Sequence, residues 1–149
     1  MKQIIYIIIF TSILGISAIA QPAKSKANTL PAGIAGWSGE YSDKLLNNPV
    51  IETRLKKLLG STNYASFMES FETLTPISKY DGILFASGCL IHACGHLESA
   101  IAIDVKNNII HAAIFNNENP TSYFNERGSK TPKPIVDWAK NLDENKTNK

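Results

Sequence analysis

Residues 99–115 read SAIAIDVKNNIIHAAIF, two apolar runs separated by a pair of asparagines. Asn tolerates a positive φ, so Asn107–Asn108 suits a two-residue hairpin turn between two β-strands. The turn predicts six cross-strand pairs: Lys106 with Ile109, Val105 with Ile110, Asp104 with His111, Ile103 with Ala112, Ala102 with Ala113 and Ile101 with Ile114. In this register His111 is a structural charge partner of Asp104. We predict that the core face carries Ile101, Ile103, Val105, Ile110 and Ile114.

Helical patterns flank the hairpin. A helix is predicted from Pro49 to Gly60, because Asn48 suits the N-cap and an apolar stripe follows at Ile51, Leu55, Leu58 and Leu59. The same spacing predicts helices at about 62–71 and 132–142, and a short apolar run predicts a strand at 83–86. Helices before and after an antiparallel meander predict an α+β domain: a central antiparallel β-sheet with helices packed on it.

Composition narrows the class of protein. The chain has 149 residues, of which 44% are apolar and 19% charged, and its formal net charge is +2. These values fit one ordinary globular domain and argue against a nucleic-acid partner and against a disordered chain. The sequence contains no Gly-rich phosphate loop, no His-Glu-x-x-His and no Gly-x-Ser-x-Gly. We therefore expect no cofactor and no enzymatic activity.

The first twenty residues have the three parts of a secretory signal peptide: Lys2, an apolar run and the small-x-small sequence Ala18–Ala20. Cleavage is expected after Ala20, which makes the protein periplasmic or secreted and leaves no membrane segment. Residues 21–35 are predicted to be a flexible leader, 36–142 the folded domain and 143–149 a disordered tail. An oxidising compartment favours a disulfide over free thiols.

Chemistry is concentrated at residues 87–96, which read SGCLIHACGH between the first strand and the hairpin. A bond between Cys89 and Cys94 would close a small ring that contains His92. So short a ring stabilises the fold by only about 2 kcal/mol, so its main effect is to shape the loop. A shaped loop with one ionisable side chain suits a binding protrusion, because its conformational entropy is lost before the partner arrives.

Other interpretations of this loop compete. A periplasmic metal-binding module would use Cys89, His92, Cys94 and His96, although their close spacing strains tetrahedral geometry. Redox catalysis requires Cys-x-x-Cys at the start of a helix, but here four residues separate the cysteines and the surroundings are strand and turn. A cysteine protease requires a lone reduced thiol, which two close cysteines in an oxidising compartment do not supply. A structural envelope protein would use the loop only as a turn, and then His92→Ala would change no binding.

The segment from about Leu84 to Phe115 resembles the inhibitor of vertebrate lysozyme (Ivy) family of secreted bacterial proteins. The resemblance consists of a strand, then Gly-Cys-x-x-His-x-Cys-Gly, then the hairpin. In that family a disulfide-closed loop, Cys-Lys-Pro-His-Asp-Cys, enters the lysozyme cleft and its histidine lies against two catalytic carboxylates. Cys89, His92 and Cys94 match this pattern position by position. The resemblance implies an α/β sandwich, a lysozyme partner and a homodimer.

Three loop positions depart from the family pattern: Leu90, Ile91 and Ala93 stand where it has Lys, Pro and Asp. The loop thereby loses a cation, a rigid φ and a carboxylate. An imidazolium at His92 still offers two N–H donors to paired carboxylates. We expect weaker inhibition of vertebrate lysozyme, or a muramidase or lytic transglycosylase partner with a more apolar cleft. The predicted partner-binding residues are His92, Leu90, Ile91 and Ala93.

Overall fold

The computed structural model describes residues 29–147, so the predicted signal peptide and residues 21–28 of the predicted leader lie outside the described residues. A six-stranded antiparallel sheet forms the centre, in the order β1-β3-β4-β5-β6, with β2 also paired to β3. The helices are α1 Asp43–Leu46, α2 Pro49–Glu69 and α3 Lys133–Thr147. The strands are β1 Thr73–Leu74, β2 Ser78–Tyr80, β3 Ile83–Cys89, β4 Leu97–Asp104, β5 Ile109–Asn116 and β6 Asn119–Asn125. The predicted α+β class is confirmed.

The α2 segment consists of two helices that meet at a kink, as its sequence predicts. The side chain of Asn48 accepts hydrogen bonds from the N–H groups of Val50 and Ile51, at 3.1 and 3.4 Å. Gly60 has φ 72° and ψ 171°, a left-handed conformation that only glycine adopts without strain. The first helix therefore ends at Gly60, and the second continues to Glu69.

The sheet is covered on both faces. On one face Ile101, Ile103 and Ile110 are buried in a cluster that includes the apolar stripe of α2, which confirms the predicted core face. On the other face three alanines of β4 and β5 form a second cluster with Ile135 of α3. Because Ile and Ala alternate along β4, one face of the sheet carries long side chains and the other carries short ones. The alanine side chains are short enough for α3 to pack closely against the sheet.

The predicted hairpin register is wrong by two residues. Asp104 pairs with Ile109 and Ala102 pairs with His111, so four residues, 105–108, form the connection. The carboxylate of Asp104 accepts hydrogen bonds from the backbone and side chain of Asn107, at 2.9 and 2.7 Å, which closes the larger turn. A shift of two residues leaves every side chain on its predicted face.

The corrected register also changes the position of His111. The residue lies opposite Ala102 instead of Asp104, and it is only 3% exposed. Its Nδ1 lies 2.7 Å from Oδ1 of Asn125 on β6. His111 is therefore buried in a hydrogen-bonded position next to α3, and the predicted direct pairing with Asp104 is incorrect.

The fold extends beyond both predicted boundaries of the domain. Ile34 is 3% exposed and Leu30 packs against the core, so part of the predicted leader 21–35 belongs to the packed structure. At the other end α3 continues to Thr147, where a disordered tail from 143 was predicted. The Nζ of Lys146 donates to the carbonyl oxygens of Asn116 and Asn119, at 3.3 Å each, and holds the last turn of α3 against the sheet.

Candidate functional site

The connection between β3 and β4 is a short double turn closed by a disulfide. Cys89, the last residue of β3, is bonded to Cys94. The N–H of Ala93 donates to the carbonyl of Leu90 at 2.9 Å, and the N–H of His96 donates to the carbonyl of Ala93 at 2.9 Å. We call residues 89–96 the cystine loop. Its disulfide confirms the prediction of an oxidised pair.

The bond between the two sulfurs contradicts the metal-binding alternative. A zinc site on this loop would need both cysteines as thiolates. Across residues 29–147 no group of three or more His, Cys, Asp or Glu side chains is arranged to hold a metal ion. Cys89, His92, Cys94 and His96 therefore do not form the predicted alternative site.

Two carboxylates outside the disulfide ring fix the backbone of the cystine loop. Oε2 of Glu72, which precedes β1, accepts a hydrogen bond from the N–H of Ile91 at 3.2 Å. Oε1 of Glu98, on β4, accepts from the N–H of Gly95 at 2.7 Å. Neither carboxylate was among the residues predicted for the site. Glu98 has a local signal, a carboxylate three residues after a turn glycine, whereas Glu72 lies 19 residues from its partner and has none.

Close packing explains the glycine that precedes Cys89. A Cβ placed on Gly88 would lie 2.6 Å from the ring of Phe71 and 2.8 Å from the carbonyl oxygen of Thr73. Only glycine therefore lets β1 and the end of α2 approach the base of the cystine loop. Because Glu72 lies between Phe71 and Thr73, this approach also brings its carboxylate to the loop backbone.

His92 lies at the third position of the first turn, with its side chain exposed. Its φ is 63°, in the left-handed region, where histidine is found more often than most residues. No hydrogen-bond partner of the His92 ring lies among residues 29–147, so both ring nitrogens are free to contact another molecule. The turn therefore presents an imidazole with its backbone position already fixed.

The other predicted partner-binding residues differ in exposure. Ile91 is 52% exposed beside His92, whereas Leu90 and Ala93 are half-buried at the base of the turn. The tip of the cystine loop is therefore one aliphatic side chain next to one imidazole. Leu90 and Ala93 contribute the carbonyl and N–H that close the turn.

The connection between β5 and β6 lies beside the cystine loop. The N–H of Asn117 donates to the carbonyl of His96 at 2.9 Å, and Nδ2 of Asn117 lies 3.4 Å from Nδ1 of the His96 ring. We call residues 116–119 the asparagine turn. The cystine loop and the asparagine turn together form one end of the molecule.

Electrostatic features at the opposite end of the sheet are structural. Burial opposes ionisation of Asp104, but hydrogen bonds from Asn107 and the charge of His111 outweigh it, so the pKa of Asp104 is lowered. The carboxylate that closes the β4–β5 turn therefore stays ionised at neutral pH.

No helix within the described part of the chain is long and apolar enough to span a bilayer.

A family model described as "Inhibitor of vertebrate lysozyme (Ivy)" matches residues 50–145, more than half of the chain. The match includes all of α2 but its first residue, the whole sheet, the cystine loop and most of α3. No curated protein and no solved structure matches the sequence.

Proposed function

The chain belongs to the inhibitor of vertebrate lysozyme family, and from this we propose that it is a periplasmic or secreted inhibitor that inserts the cystine loop into the active-site cleft of a muramidase. The family is one of inhibitors and not of enzymes. The observation that carries the proposal is the geometry of His92: an exposed imidazole without an internal partner, on a turn closed by a disulfide and held by two carboxylates.

An imidazolium fits the active site of a glycoside hydrolase, which has two carboxyl groups about 5–10 Å apart. His92 offers N–H donors from both sides of its ring, one for each carboxylate. Hydrogen bonds between charged groups contribute about 1.5–3 kcal/mol each, more in a cleft from which water is excluded. The partner's own catalytic groups thus become the binding site for His92.

Preorganisation of the loop supports the same role. Binding of a flexible loop costs about 0.5–1.5 kcal/mol for each side chain that becomes ordered, in addition to the backbone cost. In this protein the disulfide, the two turn hydrogen bonds and the bonds to Glu72 and Glu98 have already fixed the backbone. The free energy of the His92 contacts is therefore available for affinity.

The tip composition indicates the class of muramidase. Ile91 takes the position of a proline in the family pattern, and its exposed side chain gains free energy when an apolar wall covers it. A muramidase or lytic transglycosylase with an apolar cleft therefore gains more from the loop than one with a polar cleft. The homodimer implied by the family resemblance remains a prediction, which analytical ultracentrifugation tests.

The test is inhibition of a vertebrate muramidase, a bacterial muramidase and a lytic transglycosylase by the purified secreted protein and by His92→Asn. Asparagine tolerates the left-handed φ but cannot carry the imidazolium charge, so we expect at least a hundredfold loss of inhibition of the target, from two charge-assisted hydrogen bonds. Asp81→Asn is the matched control, because Asp81 is also exposed and left-handed, at φ 48°, in the β2–β3 turn at the opposite end of the sheet. Equal inhibition by wild type and His92→Asn would refute the role of His92.

A further inference from the structure

We propose that the asparagine turn is a second contact site, which occupies a sugar-binding subsite of the same muramidase next to the catalytic carboxylates. The inference rests on the proposed function and extends it from one residue to a surface. The asparagine turn connects β5 and β6 at the end of the sheet where the cystine loop connects β3 and β4.

The spacing of the sheet sets the distance between the two features. Neighbouring strands lie about 4.8 Å apart, so the β3–β4 and β5–β6 connections lie about 10 Å apart along one edge of the molecule. A cleft that receives the cystine loop therefore faces the asparagine turn as well. The hydrogen bond from the N–H of Asn117 to the carbonyl of His96, at 2.9 Å, fixes the two features relative to each other.

Hydrogen bonds from within the turn and from α3 hold the asparagine turn. Oδ1 of Asn116 accepts a hydrogen bond from the N–H of Glu118 at 2.9 Å. On the α3 side, Nζ of Lys146 donates to the carbonyls of Asn116 and Asn119 and lies 4.3 Å from the centre of the Phe115 ring. The turn therefore keeps its shape in the free protein, which lowers the entropic cost of binding.

The side chains of the turn have the chemistry of the partner's substrate. An asparagine side chain presents an amide carbonyl and N–H donors, the groups that an N-acetylated sugar presents through its acetamido substituent. The exposed carboxamide of Asn119 has no partner among the described residues, and the carbonyl of the Asn117 carboxamide also accepts no hydrogen bond there. A muramidase subsite built to bind an acetamido group has matching donors and acceptors for these two side chains.

The first test measures inhibition by Asn117→Ala, Asn119→Ala and Asn119→Asp. We expect each to weaken inhibition about fivefold, the effect of one lost hydrogen bond, with unchanged thermal unfolding. Asn119→Asp is included because it keeps the size of the side chain but loses the N–H donors. Asn107→Ala, in the turn at the opposite end of the same strands, is the matched control and should inhibit as wild type does.

The second test uses a trimer of β-1,4-linked N-acetylglucosamine as the probe of the sugar subsites. We expect the trimer and the inhibitor to exclude each other from the muramidase. A ternary complex of enzyme, trimer and inhibitor, or unchanged inhibition by the asparagine variants, would overturn this inference and leave the role of His92 intact. Absence of inhibition by the wild-type protein would instead overturn the proposed function, and this inference with it.

Discussion

The two ends of the β4–β5 pair hold their connections by different means. At the β4–β5 turn, Arg54 is 6% exposed and donates to Oδ1 and to the backbone carbonyl of Asn108, at 2.7 and 2.9 Å. Its guanidinium also pairs with the carboxylate of Glu126, which in turn accepts from the N–H of Ile110 at 2.8 Å. At the other end, two carboxylates at the surface and one disulfide fix the cystine loop.

This difference separates stability from binding. The Arg54 guanidinium directs its hydrogen bonds to Asn108 and Glu126 of the same chain, so its contribution is to the fold. In the cystine loop, Glu72 and Glu98 accept hydrogen bonds from backbone N–H groups, and the His92 ring stays exposed. Changes at the first end should therefore reduce the free energy of unfolding, whereas changes at the second should reduce inhibition.

The largest expected effect on stability is that of Arg54→Met. It leaves the Glu126 carboxylate, whose side chain is 16% exposed, without its cation, and loss of one partner of a buried ion pair costs about 3–5 kcal/mol. Urea unfolding measures the loss. Lys56→Met on the same helix removes the exposed pair with Glu52 and should cost less than about 0.5 kcal/mol. Similar losses for both variants would contradict the importance of the Arg54 cluster.

A smaller loss from the same cluster should appear on acidification. Burial alone would raise the pKa of Glu126, but hydrogen bonds from Arg54 and Ile110 outweigh it, so the folded pKa lies below the ordinary value of 4.5. A lowered folded pKa gives stability that is present above pH 4.5 and is lost as the pH falls through the folded value. Urea midpoints from pH 6 to pH 2 should therefore decrease, and by less for Glu126→Gln.

Loss of the disulfide should affect stability less, and inhibition more, than changes in the Arg54 cluster do. The paired change Cys89→Ser and Cys94→Ser removes a ring whose closure stabilises the fold by about 2 kcal/mol. The same change frees the loop backbone, so we expect inhibition to weaken more than tenfold in protein that is still folded, as circular dichroism would show. Inhibition equal to that of wild type would mean that the turn keeps its shape without the bridge.

The smallest expected effect is that of Glu98→Ala. It removes one acceptor from the N–H of Gly95 and should cost about 1 kcal/mol of stability, with inhibition about fivefold weaker. Glu98→Gln keeps an acceptor oxygen and should recover most of both. If the two variants behave alike, the carboxylate acts through its charge and not through the hydrogen bond to the loop.

Local signals in the sequence were sufficient for part of the fold. Asn48, Pro49 and Gly60 specify the two halves of α2 through short-range chemistry: a cap, a first-turn proline and a left-handed glycine. The alternation along β4 also predicted the core face. The hairpin register was not predictable from such local signals, because the same sequence could form a two-residue or a four-residue turn. The four-residue turn forms with the carboxylate of Asp104 accepting hydrogen bonds from Asn107.

The remaining differences come from contacts between distant parts of the chain. Lys146 lies in a polar segment that has the composition of a disordered tail, and its bonds to Asn116 and Asn119, 27 to 30 residues away, hold the last turn of α3 against the sheet. The candidate site was likewise predictable only where its contacts are local in sequence. The cysteine spacing located the cystine loop and His92, whereas the supporting carboxylate of Glu72 has no sequence signal.

In the proposed function a protonated His92 binds the paired carboxylates of a muramidase. The most direct test is the dissociation constant of the complex at pH 5 and at pH 8, because imidazole loses its second N–H within this range. We predict that wild type binds more weakly at pH 8, that His96→Gln shows the same change, and that His92→Asn is weak and nearly independent of pH. Equal affinity of the wild-type protein at both pH values would contradict this role of the His92 imidazolium.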